Sequence, residues 1–258
     1  AAHTTLAIRN VREGGARVSG VYDTDGSRVA AAMRVGHHYA STLEAAIREA
    51  DAVAICAPPD AHASIIAAAI AAGKHVWTEK PIAENLVKSA ALVMAARASR
   101  VTLFVDHTFA FAPAVRALAG VVPPPLSHVA AVRTHVCPPR DGADVIGDLL
   151  PHDASILLAC GVRVRAVHAV QRARDAQISL ALDGDATGTC YLSWQSPFKA
   201  RWMTLYGADR AVLYDHMDPR EQVRVWSTNA APRDPAAWSD AEAHSPPVSS
   251  REPLAIAI

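Results

Sequence analysis

Ala52-Val53-Ala54-Ile55-Cys56 is an unbroken apolar run, broken by Pro58-Pro59-Asp60 and followed by Gly73-Lys74-His75-Val76-Trp77-Thr78-Glu79-Lys80-Pro81. A short apolar run bounded by breakers reads as a strand buried on both faces, the kind that parallel sheets contain. The residues between the two stretches read as a helix to Ala72, stopped by Gly73. His75 to Thr78 is then the next strand, with Glu79-Lys80-Pro81 as the loop after it. Upstream, Ala16 to Asp23 is a short β-type run closed by the turn dipeptide Asp25-Gly26. Ser27 suits the cap of a helix from Arg28 to Val35, and Gly36 ends it. Ser41-Thr42-Leu43-Glu44 has capping-box spacing and opens a helix through Ala50. Downstream, a helix from about Asn85 to Ala98 leads to a strand from Val101 to Val105. Strands and helices that alternate in this way imply an α/β fold, a parallel sheet covered by helices on both sides.

The grammar changes after Pro123-Pro124-Pro125, a stiff break. Val129 to Val136 reads as a strand, and Pro151 to Cys160 as a helix with proline in its permissive first turn. Strands then follow without helices between them. Val162, Val164 and Ala166 alternate with Arg163 and Arg165, and Gly188, Cys190, Leu192 and Trp194 with Thr187, Thr189, Tyr191 and Ser193. Trp202 to Tyr206 and Ala211 to Tyr214 flank Gly207-Ala208-Asp209 as a hairpin. The expected second domain is therefore α+β, with an open antiparallel sheet, one face packed and the other wetter. Its boundary with the nucleotide-type domain is expected at residues 106 and 107. The tail from Ala230 is rich in Pro, Ser and Ala and shows little pattern.

Composition excludes several classes. The chain has 258 residues, 51% hydrophobic and 19% charged, enough apolar surface for a real core. Its 25 basic and 25 acidic side chains balance, so no basic excess points to nucleic acid. The longest wholly apolar run, Ile65 to Ala72, is far below the roughly 20 residues that span a bilayer. No signal-peptide pattern opens the sequence. Cys56, Cys137, Cys160 and Cys190 lie far apart, as small buried thiols do in a reducing compartment. The expectation is a soluble, cytoplasmic protein without a membrane partner. No C-x-x-C, H-E-x-x-H or G-x-S-x-G element is present, which sets aside zinc and serine-hydrolase chemistry, and no metal is expected.

Four positions carry candidate chemistry. Asp23, at a strand end, suits hydrogen bonds from adenosine ribose hydroxyls and would repel a 2′-phosphate, favouring NAD over NADP; a turn aspartate capping the next element is the alternative. Lys80 follows a buried parallel strand, where open α/β sheets bind ligands, and Glu79 supplies a charge beside it. It is either the base that takes a hydroxyl proton as hydride leaves, or a solvated loop lysine. Asp148 and His152, four apart at a helix start, suit an acid/base pair, or a dipole-facing aspartate with an unrelated histidine.

In this order the pieces resemble the Gfo/Idh/MocA oxidoreductases, the family of glucose–fructose oxidoreductase and inositol dehydrogenase. Ala57-Pro58-Pro59-Asp60-Ala61-His62 is similar to the family's T-P-x-x-x-H, Gly73 to Pro81 to its G-K-H-V-x-x-E-K-P, and Asp148 to His152 to its D-x-x-x-H. Val105 to Phe109 and Ser193 to Arg201 resemble one bacterial branch linked to nucleotide-sugar or surface-polysaccharide genes. The resemblance implies a Rossmann domain, a C-terminal α/β domain whose open sheet forms a homo-oligomer (dimer or tetramer), and hydride transfer between a sugar, nucleotide-sugar or polyol hydroxyl and nicotinamide. Carried over, Lys80 is the catalytic lysine contacting substrate and cofactor, His152 the acid/base candidate and Asp148 its orienting carboxylate or a substrate ligand. Asp23, Ala57, Pro58, His62 and Glu79 fall on the cofactor side, and His107 and Arg133 become substrate contacts.

The departures are specific. The family's glycine-rich G-x-G-x-x-G turn has no counterpart; if Arg9-Asn10 and Glu13 keep register, its second and third glycines fall at Ala1 and Thr4. Ala57 replaces the family's threonine, and Gly147 stands where the branch often has tryptophan. Glu252-Pro253-Leu254 resembles the approach to a further helix. The expectation is a chain cut at both ends. The alternative is a non-catalytic sugar-binding or oligomer-forming member that has lost dinucleotide binding.

Overall fold

A computed structural model describes residues 17–34, 37–137, 144–227 and 243–248. The Ala1–Thr4 register, the Gly36 helix stop and the Glu252 approach lie outside these residues. The chain divides into two compact units, one running to His107 and the other starting at Thr108.

The first unit is built on β1 (Ala52–Ile55), β2 (His75–Glu79) and β3 (Leu103–Asp106), a parallel sheet in that order. Helices α1 (Gly26–Arg34), α2 (Leu43–Arg48), α3 (Pro59–Ala71) and α4 (Leu86–Ala98) accompany it. Ile66, Ala69 and Ile70 of α3 bury against Ile55 and Val76 of the sheet and against Leu92 and Ala96 of α4. A fully buried aliphatic side chain of this kind contributes roughly 1.5–3 kcal/mol. Gly73 ends α3 at φ +70°, a left-handed backbone that glycine adopts without a Cβ penalty.

Four local expectations are corrected. Ala16 to Asp23 does not form a strand: its described part makes one parallel bridge, Val21 to Tyr39. Around α1, the Asp25 side chain accepts from Ser27 N at 2.8 Å, so Asp25 caps it rather than Ser27. Thr42, not Ser41, caps α2, accepting from Ala45 N at 3.1 Å. Strand β1 is half-exposed, with Ala52 and Ala54 facing water, because among the described residues it edges its sheet.

In the second unit, a short 3₁₀ turn (Thr108–Phe111) and α5 (Pro113–Ala119) lead to β4 (Leu126–Val136) and α6 (Val145–Ala159). Six strands follow: β5 (Val164–Gln171), β6 (Asp175–Leu182), β7 (Thr187–Ser193), β8 (Gln195–Gly207), β9 (Arg210–Asp215) and β10 (Val223–Ser227). The sheet order is β10-β9-β8-β4-β7-β6-β5, antiparallel except for the parallel pair β4–β7. That pair arises because α6 and the β5–β6 hairpin intervene between its strands. Gly207 ends β8 against the proline break: a Cβ there would lie 2.4 Å from Pro123 Cβ.

Helix α6 begins at Val145, so Pro151 lies inside it, not in its first turn. The start is set by Asp144, whose Oδ1 accepts from Gly147 N at 2.7 Å. Strand β5 is exposed along its whole length, unlike the one-sided packing expected, because it is the edge strand of its sheet.

Candidate active site

In the first unit the parallel strands bring three loops to one edge. Ala57 and Pro58 follow β1, Lys80 and Pro81 follow β2, and His107 follows β3. Glu79 and Asp106 stand in register at the ends of β2 and β3, so Lys80 and His107 leave neighbouring strands at the same level. His107 Nδ1 is buried without a hydrogen-bond partner among the described residues. Burial, and then the positive charge of Lys80, hold the His107 imidazole below its usual range.

His62, on α3, is 1% exposed. Its Nδ1 lies 2.6 Å from the Pro81 carbonyl oxygen and its Nε2 2.8 Å from that of Ala57. One buried ring therefore lies between the loop after β1 and the loop that carries Lys80, and its single N–H in the neutral form donates to one of the two carbonyls. We expect His62→Ala to cost about 2–4 kcal/mol through the cavity and the lost hydrogen bond to a backbone carbonyl. Urea unfolding reads this directly, and an unchanged midpoint would remove the bond from the account. Asp23 stands apart, its Oδ1 accepting from Asp25 N at 2.9 Å and its Oδ2 3.6 Å from Arg28 Nη1.

In the second unit the inward side chains of β4, β8 and β9 form three rows. Val129, Leu205 and Val212 make the first and Ala131, Met203 and Tyr214 the second, all buried. The third row is basic: Arg133 stands directly opposite Arg201, and His216 donates its backbone N–H to the Arg201 carbonyl at 2.9 Å. Phe109 covers this row. Its ring centroid lies 4.7 Å from Arg133 Cζ, 5.7 Å from Arg201 Cζ, 5.0 Å from the His216 ring and 4.9 Å from that of His152. Edge-on imidazoles and overlying guanidinium groups suit an aromatic face.

Arg133 is 2% exposed, and both its Nε and Nη2 donate to Asp153 Oδ1, at 3.0 and 2.7 Å. Burial raises Asp153 above the usual carboxylate range, with Arg133 pulling against it. Asp148 Oδ2 accepts from the indole of Trp194 at 3.2 Å, which ties the first turn of α6 to the sheet.

His216 is pushed down to about 4, first by burial and then by Arg201, Arg133 and Lys199, with Asp215 opposing. Below about pH 6.5 the unfolded chain takes up a proton that the folded chain refuses until about pH 4. Stability contributed by the neutral ring is thus lost as pH falls through that window. Discounted for partial exposure, the loss is on the order of 1 kcal/mol. Thermal melts from pH 7 to pH 4 should fall less steeply for His216→Gln than for the natural chain; parallel curves would contradict this.

Residues 2–107 match the family described as oxidoreductases with an NAD-binding Rossmann fold, Gfo/Idh/MocA. A UDP-N-acetylglucosamine 3-dehydrogenase from Acidithiobacillus ferrooxidans is 27% identical over 213 residues, 81% of this chain and 62% of that protein. The solved structure of that enzyme superposes with a TM-score of 0.83 at 23% identity, covering 97% of this chain and 81% of the other. Over its first unit the chain is similar to the Gfo/Idh/MocA oxidoreductases. A putative oxidoreductase from Magnetospirillum magnetotacticum superposes with a TM-score of 0.81 at 25% identity, covering 97% and 84%. GenD2 from gentamicin A biosynthesis, solved in complex with NAD, shares the fold with a TM-score of 0.73 at 22% identity, covering 81% and 68%. The aligned stretch spans 62% of the curated relative's length.

The first unit gathers Ala57, Pro58, His62, Glu79, Lys80 and His107 at one sheet edge. The second holds Asp148 and His152 on α6, with His152 against Phe109. Arg133 is in the same cluster but has its guanidinium turned to Asp153. Sequence reading assigned no role to Phe109, Asp153, Arg201 or His216. The signal for one of them was present: the inward positions Leu205, Met203 and Arg201 of β8 alternate, and the last switches from apolar to basic. No group of three or more His, Cys, Asp or Glu side chains suited to a metal occurs among the described residues. No helix among them is long and apolar enough to cross a membrane.

Proposed function

We propose that the chain is an NAD-dependent dehydrogenase that oxidises a hydroxyl of a sugar, with nucleotide-sugars as the substrate class. The observation that carries this reading is the placement of Lys80 and His107 at the carboxyl ends of adjacent parallel strands, where open α/β sheets hold ligands. The buried, unpartnered Nδ1 of His107 fits a polar group arriving at that edge. Asp23 supports NAD over NADP, because a carboxylate accepts ribose hydroxyls and repels a 2′-phosphate.

A bound nicotinamide would supply the hydride acceptor. The residues of the chain handle the hydroxyl proton and the geometry. Lys80 is the proposed base at the β2 edge, its loop packed beside His62. His152, its ring held edge-on to Phe109, is the second acid/base candidate, with Asp148 on the preceding turn. His107, held below its usual range, presents a neutral ring that accepts or donates one hydrogen bond to a hydroxyl. Exposed Val170 and Tyr191, in one row across the sheet through Gln177, support the homo-oligomer that the family implies.

The test is NADH formation from NAD⁺ with UDP-N-acetylglucosamine and a panel of other UDP-sugars. Substrate-dependent NADH is the expected result. A folded chain that binds NADH yet turns over no sugar in the panel would overturn the reading.

A further inference from the structure

The basic row of the second unit is electrostatically unbalanced. Arg133 and Arg201 are direct cross-strand partners, and like charges placed so repel. Asp153 neutralises Arg133 through two hydrogen bonds to one oxygen. Among the described residues no carboxylate forms an ion pair with Arg201, and its Nε is buried without a hydrogen-bond partner. Lys199 lies two residues along the same strand and is exposed. The positive charge of Lys199, like that of Arg133 and Arg201, acts on His216. Aliphatic side chains at the third inward position would extend the core, as they do in the two rows beneath. An arginine there repels its neighbour and loses water, so it needs a compensating anion.

We propose that Arg201 and Lys199, backed by the Arg133–Asp153 pair and flanked by Phe109, form a subsite for an anionic group of the substrate, a carboxylate or phosphate oxygens. A planar guanidinium offers paired donors to either group, and the Phe109 face holds it in place. His152 shares the Phe109 ring, so the anion would lie in the same side-chain cluster as the acid/base candidate. This deepens the dehydrogenase reading and rests on it: the preferred sugar would carry a negative charge, either on the sugar as an acid or on an attached phosphate.

Calorimetric titration of the full chain tests this with three probes: inorganic pyrophosphate, UDP and glucuronate. Saturable binding of at least one is expected. Arg201→Gln should weaken it by about tenfold or more, and Lys199→Gln, at an exposed position, by a smaller factor. Arg220→Gln, exposed and outside the cluster, should leave binding unchanged. Preference for pyrophosphate and UDP would assign the subsite to phosphate, and preference for glucuronate to a carboxylate. NADH titrated in parallel separates this proposal from the broader one. If NADH binds while no anion does, or if both Arg201→Gln and Lys199→Gln bind the anion as the natural chain does, the subsite is overturned and the dehydrogenase reading stands. If the anion binds through Arg201 while NADH does not, the subsite stands and the dehydrogenase reading fails.

Discussion

Lys80→Met is expected to lower the kcat for sugar-dependent NADH formation by about a thousandfold, within the range that a positioned acid or base contributes. Methionine keeps the length and apolar stem of the side chain, so folding and the NADH affinity should change little. The position justifies the size of the effect. Lys80 follows a strand whose neighbours in the sheet are fixed in parallel register, and the carbonyl oxygen of the next residue, Pro81, lies 2.6 Å from Nδ1 of buried His62. Lys80→Arg separates charge from proton transfer: guanidinium keeps the cation but does not deprotonate in proteins, so kcat should remain low. If Lys80→Met works within about tenfold of the natural chain, the lysine is not the base, a result that falls below the contribution expected of one. The same assay on His152→Gln then decides whether the acid/base role belongs to α6.

Asp153→Asn should destabilise the protein by about 3–5 kcal/mol, because it leaves a buried guanidinium uncompensated. The geometry makes this site severe. Arg133 and Asp153 are 2% and 3% exposed, and the strand neighbour directly opposite Arg133 is a second arginine. Replacing both partners, Arg133→Met with Asp153→Leu, should recover most of the loss, since an apolar pair of similar volume removes both desolvation penalties. Urea unfolding of the two single variants and the double variant closes the cycle. A loss under about 1 kcal/mol for Asp153→Asn would mean that the pair is solvated, at the level typical of surface ion pairs.

Much of the first unit was legible because its signals are local. An apolar run, a proline break and Gly73 at the end of α3 each state one element, and β1, α3, β2 and α4 form where they were read. The single bridge at Val21 shows the limit: a β-type run becomes a strand only with a ladder partner, and that depends on residues distant in sequence. The start of α6 was misread because Pro151 is favoured in a first turn, whereas the Asp144 cap decided the boundary. In the second unit, alternation correctly placed Cys190, Leu192 and Trp194 inside. It did not disclose that β5 is an edge with both faces exposed, since sheet order is a long-range property.

The candidate site divides the same way. Lys80, His152 and Asp148 belong to short motifs with their own spacing, so sequence alone can nominate them. The row of Arg133, Arg201 and His216 is assembled from β4, β8 and the residue just past β9, and only the sheet register makes it a row. Phe109 and Asp153 acquire meaning once that row exists, the one as its cover and the other as its counter-charge.

The central claim is tested most directly by titrating the chain with NADH and following tryptophan quenching or heat. Saturable binding in the micromolar range is the expected result, with NADPH weaker because of Asp23. A folded sample that shows no saturable binding of NADH at millimolar concentration would contradict the assignment of this chain as an NAD-dependent dehydrogenase.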